Sequence, residues 1–491
     1  MGTAIQCSSD ERRKSKDSAR SRLSGMRRRL LTGICAMLCA MQGTAALCAG
    51  GDVQQPGTAA GIPCRVDTVA YHGWQVRQVS NRWMRLLFVP ENGGRLIQVI
   101  FDDHPFLFVN PKFAGKHLSP SASEWFNYGG DKVWVLPEGG QDERHWVVKS
   151  DALDDGTYTF QLVRQGERCE IRLSGPVDPQ TGLQLQRTVS LGSDSPAIDF
   201  QAVMKNATGH PIEWSIQSVS QYDTSDAASA GQQNRNFWGF ARANPASSYL
   251  DQYHVRTGPA ENSAAQVRDD GNFAVHYVPL ASELWVDSKE GWLAVVDGAS
   301  RYAMVERFRY DGTRPYPGKA SLIFYSNGPQ LQQRADGSTT FEAIDQVRPD
   351  YYMEAELNSP VVRLEPGEEY RFDTRWYPTR ADADFKNVTD AGVILEPLRA
   401  VREATGSKIV LTGSFGVLFP GKLVAHYYDA QGTALGAQSL IDVDQTTPVV
   451  LRSAVHDPGA AGRISLHLEA PSGLDQGALG EALVQSAIAE R

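Results

Sequence analysis

Alternation between apolar and polar residues runs through most of this chain, and it limits the possible folds more than any other feature. Residues 183–191 alternate leucine and valine with polar side chains, and residues 198–204 repeat the pattern after a turn-like segment. Successive residues of a strand point to opposite faces, so this pattern is typical of strands with one buried face. No helical period appears between about 67 and 377. The sequence predicts a large antiparallel β structure, with residues 183–216 as a three-stranded meander.

Changes in composition divide the chain into segments. Residues 393–491 contain further short apolar runs and predict a small accessory β-sandwich domain, with a possible terminal helix over 478–490. The fold class predicted for the whole chain is therefore all-β, a large antiparallel domain followed by a small one. The predicted segments are a signal peptide with an N-terminal extension at 1–49, a linker at 50–66, the large domain at 67–377, a linker at 378–392 and the accessory domain at 393–491.

The N-terminal region has the layout of a secretory signal peptide. Residues 26–29 are basic apart from Met26, residues 30–38 are mostly apolar, and small residues follow. The apolar run is too short for a stable membrane span. We therefore expect a periplasmic or secreted protein without a membrane span. A lipid anchor at Cys48 is the less favoured alternative, because Leu47 fits poorly before a lipoprotein cleavage site.

Charge and cysteine content narrow the range of partners. Removal of residues 1–49 leaves 39 basic and 54 acidic residues, a formal charge of −15. An acidic chain without a basic tract is a poor candidate for nucleic acid. Cys64 and Cys169 remain, and whether they pair is left open. No Cys/His spacing indicates zinc, so we predict no metal and no cofactor, although bound Ca²⁺ stays open. The oligomeric state cannot be inferred.

An acidic pair lies inside one predicted strand. Within residues 351–360, Glu354 and Glu356 alternate with apolar residues and so share one face. Two close carboxylates repel each other, which raises the pKa of one and can keep it neutral as an acid. They are candidates for proton transfer. The structural alternative is a solvated strand face, the commonest location for glutamate.

Four motifs, in order along the chain, resemble an uncharacterised branch of the galactose-mutarotase-like, or aldose-epimerase-like, supersandwich proteins. The resemblance covers about 67–377, and it implies a supersandwich fold with a concave face that binds sugars, often with aldose-epimerase chemistry. The motifs are Pro-Glu-Asn-Gly-Gly-Arg-Leu at 90–96, Asn-Tyr-Gly-Gly-Asp-Lys-Val-Trp at 127–134, the strand within 206–222, and Glu-Ala-Glu-Leu-Asn-Ser-Pro at 354–360.

The resemblance also implies residue roles. In mutarotases a late-strand glutamate takes the anomeric hydroxyl proton, and a central-strand histidine protonates the ring oxygen. Glu356 matches the base, with Glu354 as its neighbour on the same face. The central strand at 215–222 has no histidine. The resemblance therefore supports sugar binding better than mutarotation, and the general acid is not identified.

A further set of residues is predicted to bind the sugar. Its members offer amide, charged and aromatic groups, the mixture that sugar sites use. Most of them lie on or near the motifs that carry the resemblance, and one histidine lies on another predicted strand. For each of them a core, loop or surface role is the structural alternative. The set is Trp125, Asn127, Tyr128, Asp131, Lys132, Trp134, Gln217, Gln221, Tyr222 and His276.

Three functions follow from these features. The first is an aldose 1-epimerase-like isomerase or another carbohydrate-active enzyme. The second is a non-catalytic carbohydrate-binding protein that kept the cleft and lost the acid. The third is a structural protein of the cell envelope, for which we expect a filled concave face. The sugar cannot be named.

Overall fold

The computed structural model describes residues 63–486 except 121–123, 140–143, 150, 230, 260–261, 334–338, 342–350, 405–406 and 460, and it describes no side chains in 331–350. The predicted signal peptide and Cys48 lie outside these residues. Strands make up nearly all of the regular structure, and the one helix in the described part is a 3₁₀ turn at Pro317–Lys319. The predicted all-β class is confirmed. In the described residues, no helix is long and apolar enough to cross a membrane.

The first of the large sheets has 12 strands and carries the late acidic strand near its middle. Its main path runs β1-β2-β3-β4-β6-β11-β22-β19-β16-β13, with β5 beside β4 and β23 beside β11. The strands are β1 (Arg65–Tyr71), β2 (Trp74–Ser80), β3 (Met84–Val89), β4 (Arg95–Phe101), β5 (His104–Pro105), β6 (Asp131–Leu136), β11 (Ile212–Asp223), β13 (His254–Thr257), β16 (Ser282–Val286), β19 (Leu322–Ser326), β22 (Tyr352–Asn358) and β23 (Val362–Leu364).

The second sheet has 10 strands in the order β14-β15-β12-β17-β18-β24-β10-β9-β8-β7. A separate hairpin pairs β20 (Leu331–Gln333) with β21 (Thr339–Phe341). The strands of the second sheet are β7 (Thr159–Arg164), β8 (Arg168–Val177), β9 (Leu183–Gly192), β10 (Ile198–Asn206), β12 (Phe237–Arg242), β14 (Ala265–Val267), β15 (Asn272–His276), β17 (Trp292–Asp297), β18 (Tyr302–Phe308) and β24 (Glu369–Arg380).

The predicted meander is only partly correct. β9 and β10 pair as expected, with Phe200 opposite Val189. β11 does not continue that sheet but lies in the first sheet, between β6 and β22. β10 instead pairs with β24, where Phe200 lies opposite Thr374. The reason is that both faces of β11 are buried, so alternation alone does not reveal which sheet it joins.

The main core lies between the two large sheets. Trp214 of β11 and Trp376 of β24 are fully buried in it, together with aliphatic side chains from both sheets. A second cluster, which includes Trp74, Phe113 and Tyr128, packs the strands at the N-terminal end of the first sheet against the 106–130 segment. A cavity lies over the β22, β19 and β16 region of the same sheet, and Trp125 of this segment lines it.

The third sheet has eight strands and its own core. This sheet curves so that its two end strands, β29 and β30, come into contact. The His456 backbone N–H of β30 donates to Gln438 Oε1 of β29 at 3.3 Å. A further apolar cluster joins it to the second sheet through Phe240, Trp292 and Phe385. The strands are β25 (Asn387–Val388), β26 (Gly392–Arg402), β27 (Lys408–Val417), β28 (Gly421–Tyr428), β29 (Ala434–Val443), β30 (Val449–His456), β31 (Arg463–Glu469) and β32 (Asp475–Ser486). The predicted domain boundaries stay a prediction.

The predicted terminal helix is wrong over the residues that are described. Asp475–Ser486 is β32, which pairs antiparallel with β31 and parallel with β26. Gly477 and Gly480 disfavour a helix, and Leu479 is buried in the core of the third sheet. Cross-strand pairing and burial therefore decide the conformation here.

The question of the two cysteines is answered. Cys64 and Cys169 form a disulfide, with Cα atoms 5.6 Å apart. Cys64 immediately precedes β1 and Cys169 lies in β8, so the bond ties the start of the first sheet to the second.

Candidate functional site

Five neighbouring strands of the first sheet, β6, β11, β22, β19 and β16, build the floor of the candidate site. Their register places one row of side chains across the floor, in which Gln221 lies opposite Glu354, Glu354 opposite Tyr325, and Tyr325 opposite Glu283. Glu356 lies in the next row, opposite Ile323. Because paired strand residues share a face, these side chains project to the same side of the sheet.

A cavity of about 420 Å³ opens above this floor. Its volume is within the range of small-molecule sites. The wall combines aromatic rings with carboxylates, and no histidine lines it among the described residues. The lining residues are Trp125, Trp134, Leu136, Pro137, Glu138, Val148, Gln217, Arg256, Thr257, Glu283, Trp285, Pro317, Gly318, Ile323, Tyr325, Tyr352, Glu354 and Glu356.

Glu354 is held by a cation and an amide. Lys132 Nζ lies 3.4 Å from its Oε1, and Gln221 Nε2 donates to the same oxygen at 2.6 Å. Both donors stabilise a negative charge on this carboxylate. Lys132 is itself almost fully buried, and burial lowers its pKa. The Glu354 carboxylate opposes this effect of burial and favours the charged form of Lys132.

Glu356 has a different environment from Glu354, although both are buried. Its Oε2 accepts a hydrogen bond from the Gln217 side-chain amide. Burial, followed by the negative charges of Glu354 and Glu283, raises its pKa well above the ordinary value. The two neighbouring carboxyls thus lie in different environments, which is the arrangement that an acid and a base in one site require.

Two more carboxyls and an arginine complete the polar wall. Glu283 accepts from Trp285 Nε1 at 2.5 Å and from Thr257 Oγ1 at 3.1 Å. Desolvation and the negative charges of Glu283 and Glu354 raise the pKa of Glu138 to about 7. This residue nevertheless keeps an exposed surface at the mouth of the cavity. Arg256 is also exposed there.

A single buried carboxylate positions the aromatic wall. Asp154 Oδ2 accepts from Trp125 Nε1 and its Oδ1 from Trp134 Nε1, both at 2.8 Å. Arg95 Nη2 balances the charge of Asp154 at 2.8 Å. The Lys132 ammonium lies 4.3 Å from the Trp134 ring centre, a cation–π contact. The two indoles are therefore fixed in orientation beside the carboxylates.

The turn that precedes β6 explains the motif at 127–134. Gly129 and Gly130 both have positive φ, 90° and 75°. A Cβ at Gly129 would lie 2.1 Å from the Phe108 carbonyl oxygen, so a side chain cannot fit. The glycines let the turn pack tightly and set the direction in which Lys132 and Trp134 project.

Seven of the residues singled out by the sequence come together here. Trp125, Trp134, Gln217, Glu354 and Glu356 line the cavity, while Lys132 and Gln221 contact the Glu354 carboxylate. This placement concerns position alone, and their predicted roles stay predictions.

The other five predicted residues lie elsewhere. Asn127 Oδ1 accepts from the Gly129 N–H at 3.1 Å, and Tyr128 is buried among aromatic rings. Asp131 and Tyr222 face the interior between the large sheets, because each differs in strand parity from the residues of the cavity floor. His276 is on the second sheet, where its Nε2 lies 2.6 Å from the Arg235 carbonyl oxygen. These five residues are thus not among those that line the cavity, and their predicted role in sugar binding stays a prediction.

Several cavity residues escaped the sequence reasoning. Glu283 and Trp285 alternate on β16, and Tyr325 lies on β19. The same alternation that identified Glu354 and Glu356 is present in Ser-Glu-Leu-Trp-Val at 282–286. What the sequence lacks is the strand order, which brings β16 within two strands of β22.

A larger open groove, about 1250 Å³, lies on the outer face of the second sheet and is rich in arginine. Carboxylates already pair with several of these arginines, for example Asp199 with Arg168 at 2.6 Å and Asp390 with Arg307 at 2.7 Å. Its charges are therefore largely balanced within the protein. No cluster of three or more potential metal ligands occurs among the described residues.

In comparisons with known proteins, this chain is similar to solved structures. No protein-family model and no curated protein sequence matches significantly. A TPR-domain containing protein from Parabacteroides distasonis is 13% identical, at a TM-score of 0.38, and the match covers 64% of this chain and 48% of that protein. A galactose mutarotase-like protein from Clostridium acetobutylicum is 8% identical, with 65% and 99% coverage and a TM-score of 0.41. A galactose mutarotase related enzyme from Lactobacillus acidophilus is 10% identical, with 63% and 98% coverage and a TM-score of 0.38.

The solved structures that this chain matches thus include galactose mutarotase-like proteins, as the sequence motifs led us to expect.

Proposed function

We propose that this protein is an exported, carbohydrate-active protein that binds an aldose in the cavity and interconverts its anomers. The observation that supports this most directly is the pair Glu354 and Glu356, two neighbouring carboxyls on the cavity floor with different hydrogen-bond partners. Indole rings beside them offer a surface on which the apolar face of a sugar ring can stack.

The two carboxyls would have separate roles. Glu354, held by Lys132 and Gln221, would be the base. Glu356, whose pKa is raised by burial and by like charges, would be the acid. This assignment reverses the sequence expectation for Glu356, and it removes the need for the missing central-strand histidine.

The reaction proceeds without any oxidant or co-reactant. Glu354 takes the proton from the anomeric hydroxyl, that oxygen forms a carbonyl with C1, and the bond between C1 and the ring oxygen breaks. Glu356 gives its proton to the departing ring oxygen. Rotation about the C1–C2 bond and reversal of these transfers closes the other anomer. The two Cα atoms are about 7 Å apart along the strand, so the side chains can bracket the anomeric centre.

Export forms part of the proposal. The arrangement of basic, apolar and small residues within 26–49 supports it. The disulfide between Cys64 and Cys169 is in keeping with an oxidising compartment such as the periplasm.

The second candidate is a carbohydrate-binding protein without catalysis. One observation favours it: Glu354 Oε1 already contacts both Lys132 Nζ and Gln221 Nε2. These contacts compete with abstraction of a proton from the sugar. A structural envelope role has less support, because the concave face above β22 and β19 holds an open cavity.

The test is an NMR assay of anomer exchange across a panel of aldoses, with Glu356→Gln as the inactivating variant. Loss of a general acid costs about 10²–10⁴-fold in rate, and we expect a loss of this size. Glu365→Gln, at an exposed position beyond β23, is the control and should match the wild type. Binding of a sugar without faster exchange favours the second candidate, and no binding of any aldose rejects the proposal.

A further inference from the structure

The cavity is lined by more acidic than basic side chains. Four glutamates line it, against one lining cation, Arg256, and one adjacent cation, Lys132. Lys132 is already engaged by Glu354, and Arg256 is exposed at the mouth. The inner wall therefore favours an occupant that carries a positively charged donor.

The carboxylate of Glu283 shows this imbalance most clearly. Its donors, the Trp285 indole N–H and the Thr257 hydroxyl, are neutral. Gln217, which also lines the cavity and is only 2% exposed, leaves its buried Oε1 without a hydrogen-bond partner in the described structure. Both groups are acceptors that a cationic donor would satisfy.

Glu283 is also well separated from the floor carboxyls. The backbone of β16 lies two strands from that of β22, about 10 Å away across the sheet. A ring whose anomeric centre contacts Glu354 and Glu356 can therefore direct a second substituent toward Glu283. Trp285 lies beside Glu283, and its ring already has one cation near it, the Arg256 guanidinium 5.8 Å from the ring centre.

We propose that the natural ligand is an amino sugar with a free, protonated amine, and that Glu283 binds this amine. This inference rests on the proposed sugar site and specifies its substrate class. A cation would also relieve the repulsion among the carboxyls, which contributes to the raised pKa of Glu138 and Glu356.

The test compares binding of glucose with that of 2-amino-2-deoxy-, 3-amino-3-deoxy- and 6-amino-6-deoxyglucose, by NMR titration of the mature protein at neutral pH and low salt. Each amino sugar replaces one hydroxyl with an ammonium group of similar size. A charge-assisted hydrogen bond is worth about 1.5–3 kcal/mol, so at least one amino sugar should bind about tenfold or more tightly than glucose. Glu283→Gln should remove this preference and keep glucose binding, while Glu290→Gln, at an exposed position, should change neither.

The possible failures are distinct. Equal binding of glucose and all three amino sugars overturns the inference but leaves the sugar site standing. A preference that persists in Glu283→Gln overturns the assignment to this residue. If neither glucose nor any amino sugar binds, the inference is overturned; the wider aldose panel then decides whether the proposed sugar site also fails.

Discussion

Two buried clusters of acids lie on opposite faces of the same strands. The pocket cluster comprises Lys132, Gln217, Gln221, Glu354 and Glu356. The interior cluster comprises Asp131, Arg187, Ser220, Tyr222 and Glu306. β6 and β11 contribute to both, because successive residues of a strand face opposite sides.

The interior cluster is sealed between the two large sheets. Arg187 pairs with Asp131, Ser220 Oγ lies 3.1 Å from Asp131 Oδ2, and the Tyr222 hydroxyl donates to Glu306 Oε1 at 2.5 Å. Burial raises the pKa of Glu306 to about 8. Burial and a raised pKa are thus common to both clusters. The difference is access, since in the described part of the chain only the pocket cluster lies beside a cavity that can admit a ligand.

The largest effect on stability is expected from breaking the interior ion pair. Arg187→Met leaves Asp131 buried without its cation, which costs about 3–5 kcal/mol of unfolding free energy. Urea denaturation followed by tryptophan fluorescence measures this loss. The double variant Asp131→Asn/Arg187→Met should recover most of it. A single variant as stable as the wild type would show that the pair is not needed for the fold.

The raised pKa of Glu306 predicts how the free energy of unfolding depends on pH. Its folded pKa, about 8, lies above the ordinary value of 4.5, so the folded state holds the proton more tightly. This contribution to stability is present below about pH 4.5 and is lost as the pH rises toward 8, by up to about 1.4 kcal/mol per pH unit. Glu306→Gln should flatten this slope in denaturation curves measured from pH 5 to 8. An unchanged slope would contradict the raised pKa of Glu306. The Glu306→Gln variant should catalyse anomer exchange at the wild-type rate, because Glu306 lies outside the pocket cluster.

The smallest effect is expected at the wall of the cavity. Trp285→Ala removes a ring from the pocket but no charged group, and an aromatic contact is worth about 0.5–1.5 kcal/mol beyond the area it buries. Sugar binding measured by NMR titration should weaken by about 2–12-fold. Trp238→Ala, on the second sheet, is the matched control and should leave binding unchanged. Equal effects of the two variants would indicate a general loss of structure.

Part of this arrangement could be predicted from the sequence. Alternation places Glu354 with Glu356 and Gln217 with Gln221, and these four do meet on one face. The same rule places Asp131 and Lys132 on opposite faces, and likewise Gln221 and Tyr222. Alternation alone therefore argued against placing both members of each pair in one site. Strand order was not accessible, because Glu283 joins the site only through the pairing of β16 with β19 and β19 with β22. His276 was misplaced for the same reason.

The comparison between the clusters is tested most directly by carboxyl NMR of protein labelled with ¹³C at the glutamate and aspartate side chains, titrated with an aldose that binds. We predict that the sugar shifts the signals of Glu354 and Glu356, and that Asp131 and Glu306 stay unchanged. Shifts at Asp131 and Glu306 with none at Glu354 and Glu356 would contradict the claim that access to the pocket separates a functional pair of acids from a structural one.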